Sequence, residues 1–145
     1  MLLRLATLLT FAAGPAFASG FQFVEIRGTA DMPPIEAAVW YPSDAATPDE
    51  PNTPFGQAVA MHAPVAGRDL PLVVVSHGDG GWFGGQLDLA QALADAGIIA
   101  VALNHPGNSE GDETVRPSRW ITERPRHLVR AAEYMSSVWP DADLV

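Results

Sequence analysis

The sequence predicts an α/β fold in which parallel strands are joined by a helix. Two continuous apolar runs rich in β-branched residues, 70–75 and 98–103, are typical of strands covered on both faces. Between them, residues 86–96 place leucine and alanine side chains on one face of a helix. Because the turns at both joints are short, the two strands must be parallel and joined by a right-handed crossover.

The elements before this unit are less regular. Residues 21–27 alternate weakly between apolar and polar side chains, and residues 35–41 form a better strand that Pro42 ends. Residues 44–68 are rich in proline, alanine, glycine and aspartate without a sustained period. We expect this segment to be a long surface connection with a short turn near residues 55–61.

The last predicted element is a helix near the carboxyl end of the chain. Residues 109–120 are polar and irregular. Pro125 suits the first turn of a helix, because proline has no N–H to leave unpaired there. The apolar side chains that follow lie on one helical face: Leu128, Ala131, Ala132, Met135 and Val138.

The first residues are typical of an export signal. A short basic start at Arg4 precedes an uncharged apolar run over residues 5–17, and Ala16-Phe17-Ala18 is a small-x-small cleavage pattern. The apolar run is too short for a membrane span, so no stable membrane anchor is expected. We expect residues 1–18 to be a signal peptide and residues 19–145 to form the exported domain, periplasmic or secreted; the alternative is a buried N-terminal helix.

The composition excludes several kinds of chemistry and partner. There is no cysteine, which rules out a thiol nucleophile, a zinc–thiolate site and a lipid-modified cysteine. A formal charge of −9 disfavours nucleic acid and anionic membrane surfaces as partners. The composition leaves the oligomeric state open.

A glycine-dense turn follows the first buried strand and carries the main candidate site. His77, Gly78, Asp79 and Gly80 lie where a parallel strand ends, at the sheet edge that binds ligands in this kind of fold. Glycines in such a turn let backbone N–H groups face an anion without obstruction. The alternative is that these glycines only form a tight turn from strand to helix.

A wider resemblance rests on the strings 71–81, 93–97 and 104–108, with the upstream Val39-Trp40-Tyr41-Pro42 and the downstream Glu123-Arg124-Pro125-Arg126. Over residues 22–138 the sequence resembles the N-terminal half of α/β-hydrolases, in the branch of the predicted dienelactone hydrolases and platelet-activating-factor acetylhydrolases. The resemblance implies a mostly parallel sheet with flanking helices and hydrolysis of small carboxylic esters, lactones or short acyl esters. It implies no cofactor. His77 would anchor the oxyanion loop, and the N–H of Asp79 would be a donor.

The resemblance implies a nucleophile that we do not find in this sequence. Such enzymes carry G-x-S-x-G on the strand after the last helix, and we expect the chain to end before that strand, with no member of the triad present. The string at residues 107–111 matches on paper, but His105-Pro106 separates it from the strand and no helix start follows. Ser109 is therefore interpreted as a loop serine, and whether this chain alone is an enzyme stays open.

The histidines and tryptophans have competing interpretations. His77 and His105 end neighbouring strands, but no close ligand pair supports a metal site, and none is predicted. His105 is expected to orient its loop or to line a pocket, whereas His62 and His127 look isolated. Trp82 could line an acyl or leaving-group pocket, or it could cover the adjacent helix.

Two functions follow from these observations. The first is a serine ester hydrolase in its complete form, of which this chain carries the oxyanion loop. The alternative is a non-catalytic exported binding module or an inactive fragment of the fold. In the first case the strand over residues 72–75 would be left as an apolar edge, and the isolated chain would associate.

Overall fold

The computed structural model of the protein describes residues 18–139. Its elements, in chain order, are β1 (Ala18–Ile26), β2 (Ile35–Ser43), β3 (Ala60–Met61), β4 (Leu72–Ser76), a 3₁₀ helix (Phe83–Gln86), α1 (Leu87–Asp95), β5 (Ile99–Leu103) and α2 (Pro117–Ser137). The predicted signal peptide falls on residues outside this range, except for Ala18, which begins β1. In the described part, no helix is long and apolar enough to cross a membrane.

The strands form one mixed sheet in the order β3-β1-β2-β5-β4. β1 and β3 are parallel, β4 and β5 are parallel, and β2 is antiparallel to both of its neighbours. Four of the five described strands therefore run in the same direction and only β2 is reversed. The predicted α/β fold class is confirmed.

A helix covers each face of the sheet. On one face, Met135 and Ala131 of α2 pack against Tyr41, Ile99 and Val101. On the other face, Ala90 and Ala94 of α1 pack in a second buried cluster, which includes Phe21 and Trp40. Coverage on both faces explains why the β5 sequence is continuously apolar.

The predicted strand–helix–strand unit is present. α1 ends at Asp95, two residues before Gly97, which adopts a φ of 85°. The N–H groups of Gly97 and Ile98 bond back to the carbonyls of Ala94 and Leu93. This left-handed glycine closes the helix and turns the chain into β5.

The connection over residues 44–68 is less exposed than the sequence suggests. Val59 is fully buried, and Gln57 is buried with both ends of its amide bonded: it accepts from Trp40 Nε1 at 2.9 Å and donates to the Leu87 carbonyl at 3.0 Å. The segment runs along the surface over most of its length, as predicted, but its buried part has polar groups that amide side chains satisfy in place of water.

The last helix begins eight residues earlier than predicted. Pro117, not Pro125, occupies its first turn, and Pro125 lies inside the helix. The first two turns lack an apolar stripe, so the pattern missed them. They contain instead an Arg119–Glu123 ion pair with a separation of 2.6 Å at i and i+4.

Candidate functional site

The glycine loop lies where β4 ends, at the carboxyl edge of the sheet. His77 is buried beneath the loop, while Gly78 and Asp79 are exposed. The 3₁₀ helix begins at Phe83, whose N–H donates to Asn104 Oδ1 at 2.8 Å. The loops after β4 and β5 therefore meet at this edge, where ligands bind in open α/β sheets.

Two consecutive carbonyl groups of the loop, those of His77 and Gly78, accept hydrogen bonds from other residues. The carbonyl of His77 accepts a short hydrogen bond from Nη2 of Arg124 on α2. The carbonyl of Gly78 accepts from His77 Nδ1 at 2.6 Å and from the Gly81 N–H at 3.3 Å. Each contact fixes the plane of one peptide group, because the peptide bond is planar.

The N–H groups of the same two peptides point to the opposite side. In a trans peptide the carbonyl and the N–H of one plane face away from each other, and the chain contains no cis bond in its described part. The N–H groups of Gly78 and Asp79 therefore face away from Arg124. Among residues 18–139 neither N–H has a hydrogen-bond partner. Successive free N–H groups on one side of a loop form a concavity suited to an anion.

The carboxylate of Asp79 is held by a neighbouring amide. Asn108 Nδ2 donates to Asp79 Oδ1 at 2.7 Å, and Asn108 Oδ1 accepts from Arg124 Nη1 at 3.3 Å. An acidic side chain close to a bound anion would repel it, and in this loop the Asp79 carboxylate is fixed on Asn108.

The backbone of the loop needs glycine at one position above all. Gly80 has a φ of 61°, and a Cβ there would meet Oε1 of Glu113. The left-handed conformation strains any larger residue at this position, whereas the exposed Glu113 side chain can move aside. By contrast, a Cβ on Gly78 would meet no atom within 4 Å, so open space lies in front of this residue.

His77 has a single protonation state that fits its bonds. Its Nδ1 faces the Gly78 carbonyl and must carry the proton, while Nε2 accepts the N–H of His105 at 3.2 Å. Burial lowers the pKa of His77, and the Arg124 charge lowers it further against the bond to Gly78. His77 is thus a neutral anchor within the loop.

A second histidine contact lies deeper. His105 is fully buried, with Nε2 at 2.8 Å from Ser76 Oγ and Nδ1 at 3.2 Å from His127 Nδ1. The structure thus places His105 beneath the loop, where it offers no surface to a pocket. His127 is also buried, so the interpretation of it as an isolated histidine is wrong. Exposed His62 agrees with its interpretation.

The Ser76–His105 pair has the distance of a nucleophile and its base, but not the chemistry. Burial, followed by the charge of Arg124, lowers the pKa of His105 to about 3. An imidazole of this pKa is a poor general base at neutral pH. The pair, with His127, therefore supports the loop from below.

Ser109 lies in a loop. Its N–H bonds to the carbonyl of Asp112 at 3.0 Å in an isolated bridge, and its side chain is buried. Neither a strand directly before it nor a helix directly after it is present, so the geometry of a nucleophile elbow is lacking.

Aromatic side chains extend from the loop over the sheet edge. Trp82 is half-buried against Gly84 and lies 6.0 Å from Phe55 and 5.1 Å from Phe83, ring to ring. It therefore covers the start of the 3₁₀ helix. Phe83 in turn contacts Phe23, which is 46% exposed. This leaves an apolar surface beside the loop.

Acyl-transfer enzymes with an α/β sheet bind the oxyanion with backbone N–H groups in a turn after a buried strand. Of the metal-binding residue types, no three among residues 18–139 are placed to hold an ion.

The fold is similar to that of a solved esterase. A ferulic acid esterase from Streptomyces cinnamoneus matches with a TM-score of 0.64 and 18% sequence identity. The match covers 86% of this chain and 48% of the esterase, so the chain spans about half of that protein's length. At this identity the similarity shows the fold. No family model and no curated protein sequence matches the chain.

Proposed function

We propose that this chain provides the oxyanion-binding part of a serine ester hydrolase. The observation that carries the proposal is the pair of exposed, unpaired N–H groups of Gly78 and Asp79, fixed on one side of the loop. In acyl transfer, one such donor typically lowers the barrier by about 3 kcal/mol. The similarity of the fold to that of an esterase supports the same reaction class.

The finer assignment is to the dienelactone hydrolase branch, related to the platelet-activating-factor acetylhydrolases. The strings 71–81 and 104–108 support it. The substrate would be a small carboxylic ester, a lactone or a short acyl ester. The apolar surface beside Trp82 suits the hydrocarbon part of such a molecule.

In the complete hydrolase, a serine would attack the ester carbonyl, a histidine would remove its proton, and an acid would orient that histidine. The N–H groups of Asp79 and Gly78, together with the N–H after the serine, would bind the oxyanion. Within residues 18–139 no serine stands at a strand-to-helix elbow. We assign oxyanion binding, and not turnover, to these residues.

The place of action proposed is outside the cytoplasm, in the periplasm or secreted. The basic start, the apolar run and the Ala16-Phe17-Ala18 pattern support export. The charge of −9 supports a small-molecule partner over nucleic acid or a membrane surface.

The proposal is tested by NMR on the ¹⁵N-labelled chain. Butylphosphonate, a tetrahedral anion with a short alkyl chain, should shift the amide signals of Gly78 and Asp79 in a saturable way. The amide of Gly97, which precedes β5 at the end of the strand opposite the loop, should not move. Unchanged loop signals throughout the titration would refute the oxyanion site.

A turnover assay complements this experiment. With p-nitrophenyl butyrate, the wild type, Ser76→Ala and Ser109→Ala should show the same background rate. Saturable turnover that is lost in Ser109→Ala would instead make Ser109 a nucleophile and contradict the assignment above.

The second candidate is a non-catalytic exported binding module. It is favoured by the two buried clusters that already cover both faces of the sheet. A monomer with one sharp two-state unfolding transition would favour this candidate.

A further inference from the structure

We propose that Arg124 is a positioning residue that makes Gly78 N–H a second backbone donor of the oxyanion site. This inference rests on the proposed function and extends it, because the resemblance supplies only the Asp79 donor from this loop. The residue acts from α2, across 46 positions of sequence from Gly78, and would not itself touch the anion.

The peptide that joins His77 to Gly78 is held by Arg124. Its carbonyl is bound by Arg124 Nη2, and no other donor among the described residues reaches it. The direction of the Gly78 N–H, on the same rigid plane, therefore depends on Arg124. The next peptide is held differently, since His77 Nδ1 and the Gly81 N–H bind the Gly78 carbonyl.

The same guanidinium group lies close to the carbonyls of both peptides, His77–Gly78 and Gly78–Asp79. Nη2 of Arg124 lies 3.5 Å from the Gly78 carbonyl as well as in contact with that of His77. Two consecutive carbonyls thus face one group, and their two N–H groups face away from it together. The open space in front of Gly78 lies beside this pair of donors.

The surroundings of Arg124 fix its guanidinium group. Nη1 donates to Asn108 Oδ1 at 3.3 Å, Nη2 lies 3.3 Å from Ser76 Oγ, and the group lies 5.4 Å from the ring centroid of Trp120. A planar, multi-donor group is needed for this set, and a lysine ammonium cannot reproduce it.

The experiment compares Arg124→Met and Arg124→Lys with the wild type in the butylphosphonate titration. The matched control is Arg130→Met, because Arg130 is also on α2 and also donates to two backbone carbonyls, those of Pro33 and Arg27, away from the loop. We expect both Arg124 variants to bind the phosphonate at least tenfold more weakly, with a larger change in the Gly78 amide signal than in that of Asp79. Arg130→Met should bind as the wild type does.

Chemical rescue separates positioning from general structural support. Ethylguanidine added to Arg124→Ala should restore the Gly78 amide signal and the affinity for butylphosphonate, whereas ethylamine should not. Wild-type affinity in Arg124→Lys would show that charge alone suffices and would overturn the proposal. If the wild type itself fails to bind, the proposed function fails instead, so the two failures are distinguishable.

Discussion

Three buried histidines lie next to the half-buried Arg124 beneath the loop, and this makes their protonation unfavourable in the folded state. The pKa values of His77, His105 and His127 are all lowered, in each case mainly by burial. The contact between the Nδ1 atoms of His105 and His127 adds a geometric reason, because one of the two nitrogens must lack a proton.

We therefore predict a loss of stability in mild acid. Below the ordinary histidine pKa of about 6.5, these histidines bind protons in the unfolded chain but stay neutral in the folded chain. The free energy of unfolding should reach its maximum above this pH and fall below it, by about 1.4 kcal/mol per pH unit for His105, whose pKa is lowered to about 3. His77 and His127 contribute in the same direction. Urea unfolding between about pH 7 and pH 5 measures this slope. His62→Asn, which changes an exposed histidine, should keep the slope, and a flat profile would contradict the prediction.

A second prediction concerns the glycines of the loop. Gly80→Ala should lower the free energy of unfolding by about 1–3 kcal/mol, because its φ of 61° is a conformation that L side chains rarely adopt. Gly85→Ala is the matched control, since a Cβ there meets nothing within 4 Å. Urea unfolding of the two variants checks the difference, and equal stabilities would argue against strain at Gly80.

The loop could be predicted from the sequence, but the side chains that support it, Arg124 and His127, could not. His77, Gly78, Asp79 and Gly80 are adjacent, so a local motif reveals them. Arg124 lies 47 positions from His77, and His127 lies 22 positions from His105. Contacts of this kind depend on how α2 packs against β4. Because residues 117–124 have no periodic pattern, no local feature of the sequence predicts this packing.

At the scale of elements, the buried strand–helix–strand unit could be predicted from the sequence, whereas the polar start of α2 and the short strand β3 could not. β4, α1 and β5 lie within two residues of their predicted bounds, because an apolar run and an amphipathic stripe are local signals. The first turns of α2 are polar, and the two-residue strand β3 is too short to have a period. Both form through contacts with the rest of the fold.

Pro125 is expected to lower the stability of α2. Inside α2 it supplies no N–H to the carbonyl four residues earlier, that of Ile121. We predict that Pro125→Ala raises the free energy of unfolding by about 1 kcal/mol or more, measured by urea unfolding. Because Arg124 is the preceding residue, the same change should also shift the Gly78 amide signal. An unchanged or lower stability would show that the proline fits the helix without cost.

At the scale of the whole molecule, β4 is an edge strand of the sheet. It pairs only with β5 in the described structure, and Leu72, Val73 and Val74 are half-buried. An apolar edge strand with unpaired backbone groups is a template for pairing with another chain. The negative charge of −9 opposes association over long distances but is screened beyond about 10 Å at moderate salt.

We predict that the purified chain associates through β4 in a concentration-dependent way, which sedimentation velocity can measure. Val74→Lys should reduce association, because a charged side chain on an edge strand disfavours pairing. Leu89→Lys adds the same charge at an exposed position on α1 and should leave association unchanged. Circular dichroism would confirm that both variants keep the fold. A wild-type monomer at all concentrations would mean that the edge is protected within the chain, and it would strengthen the binding-module candidate over the hydrolase.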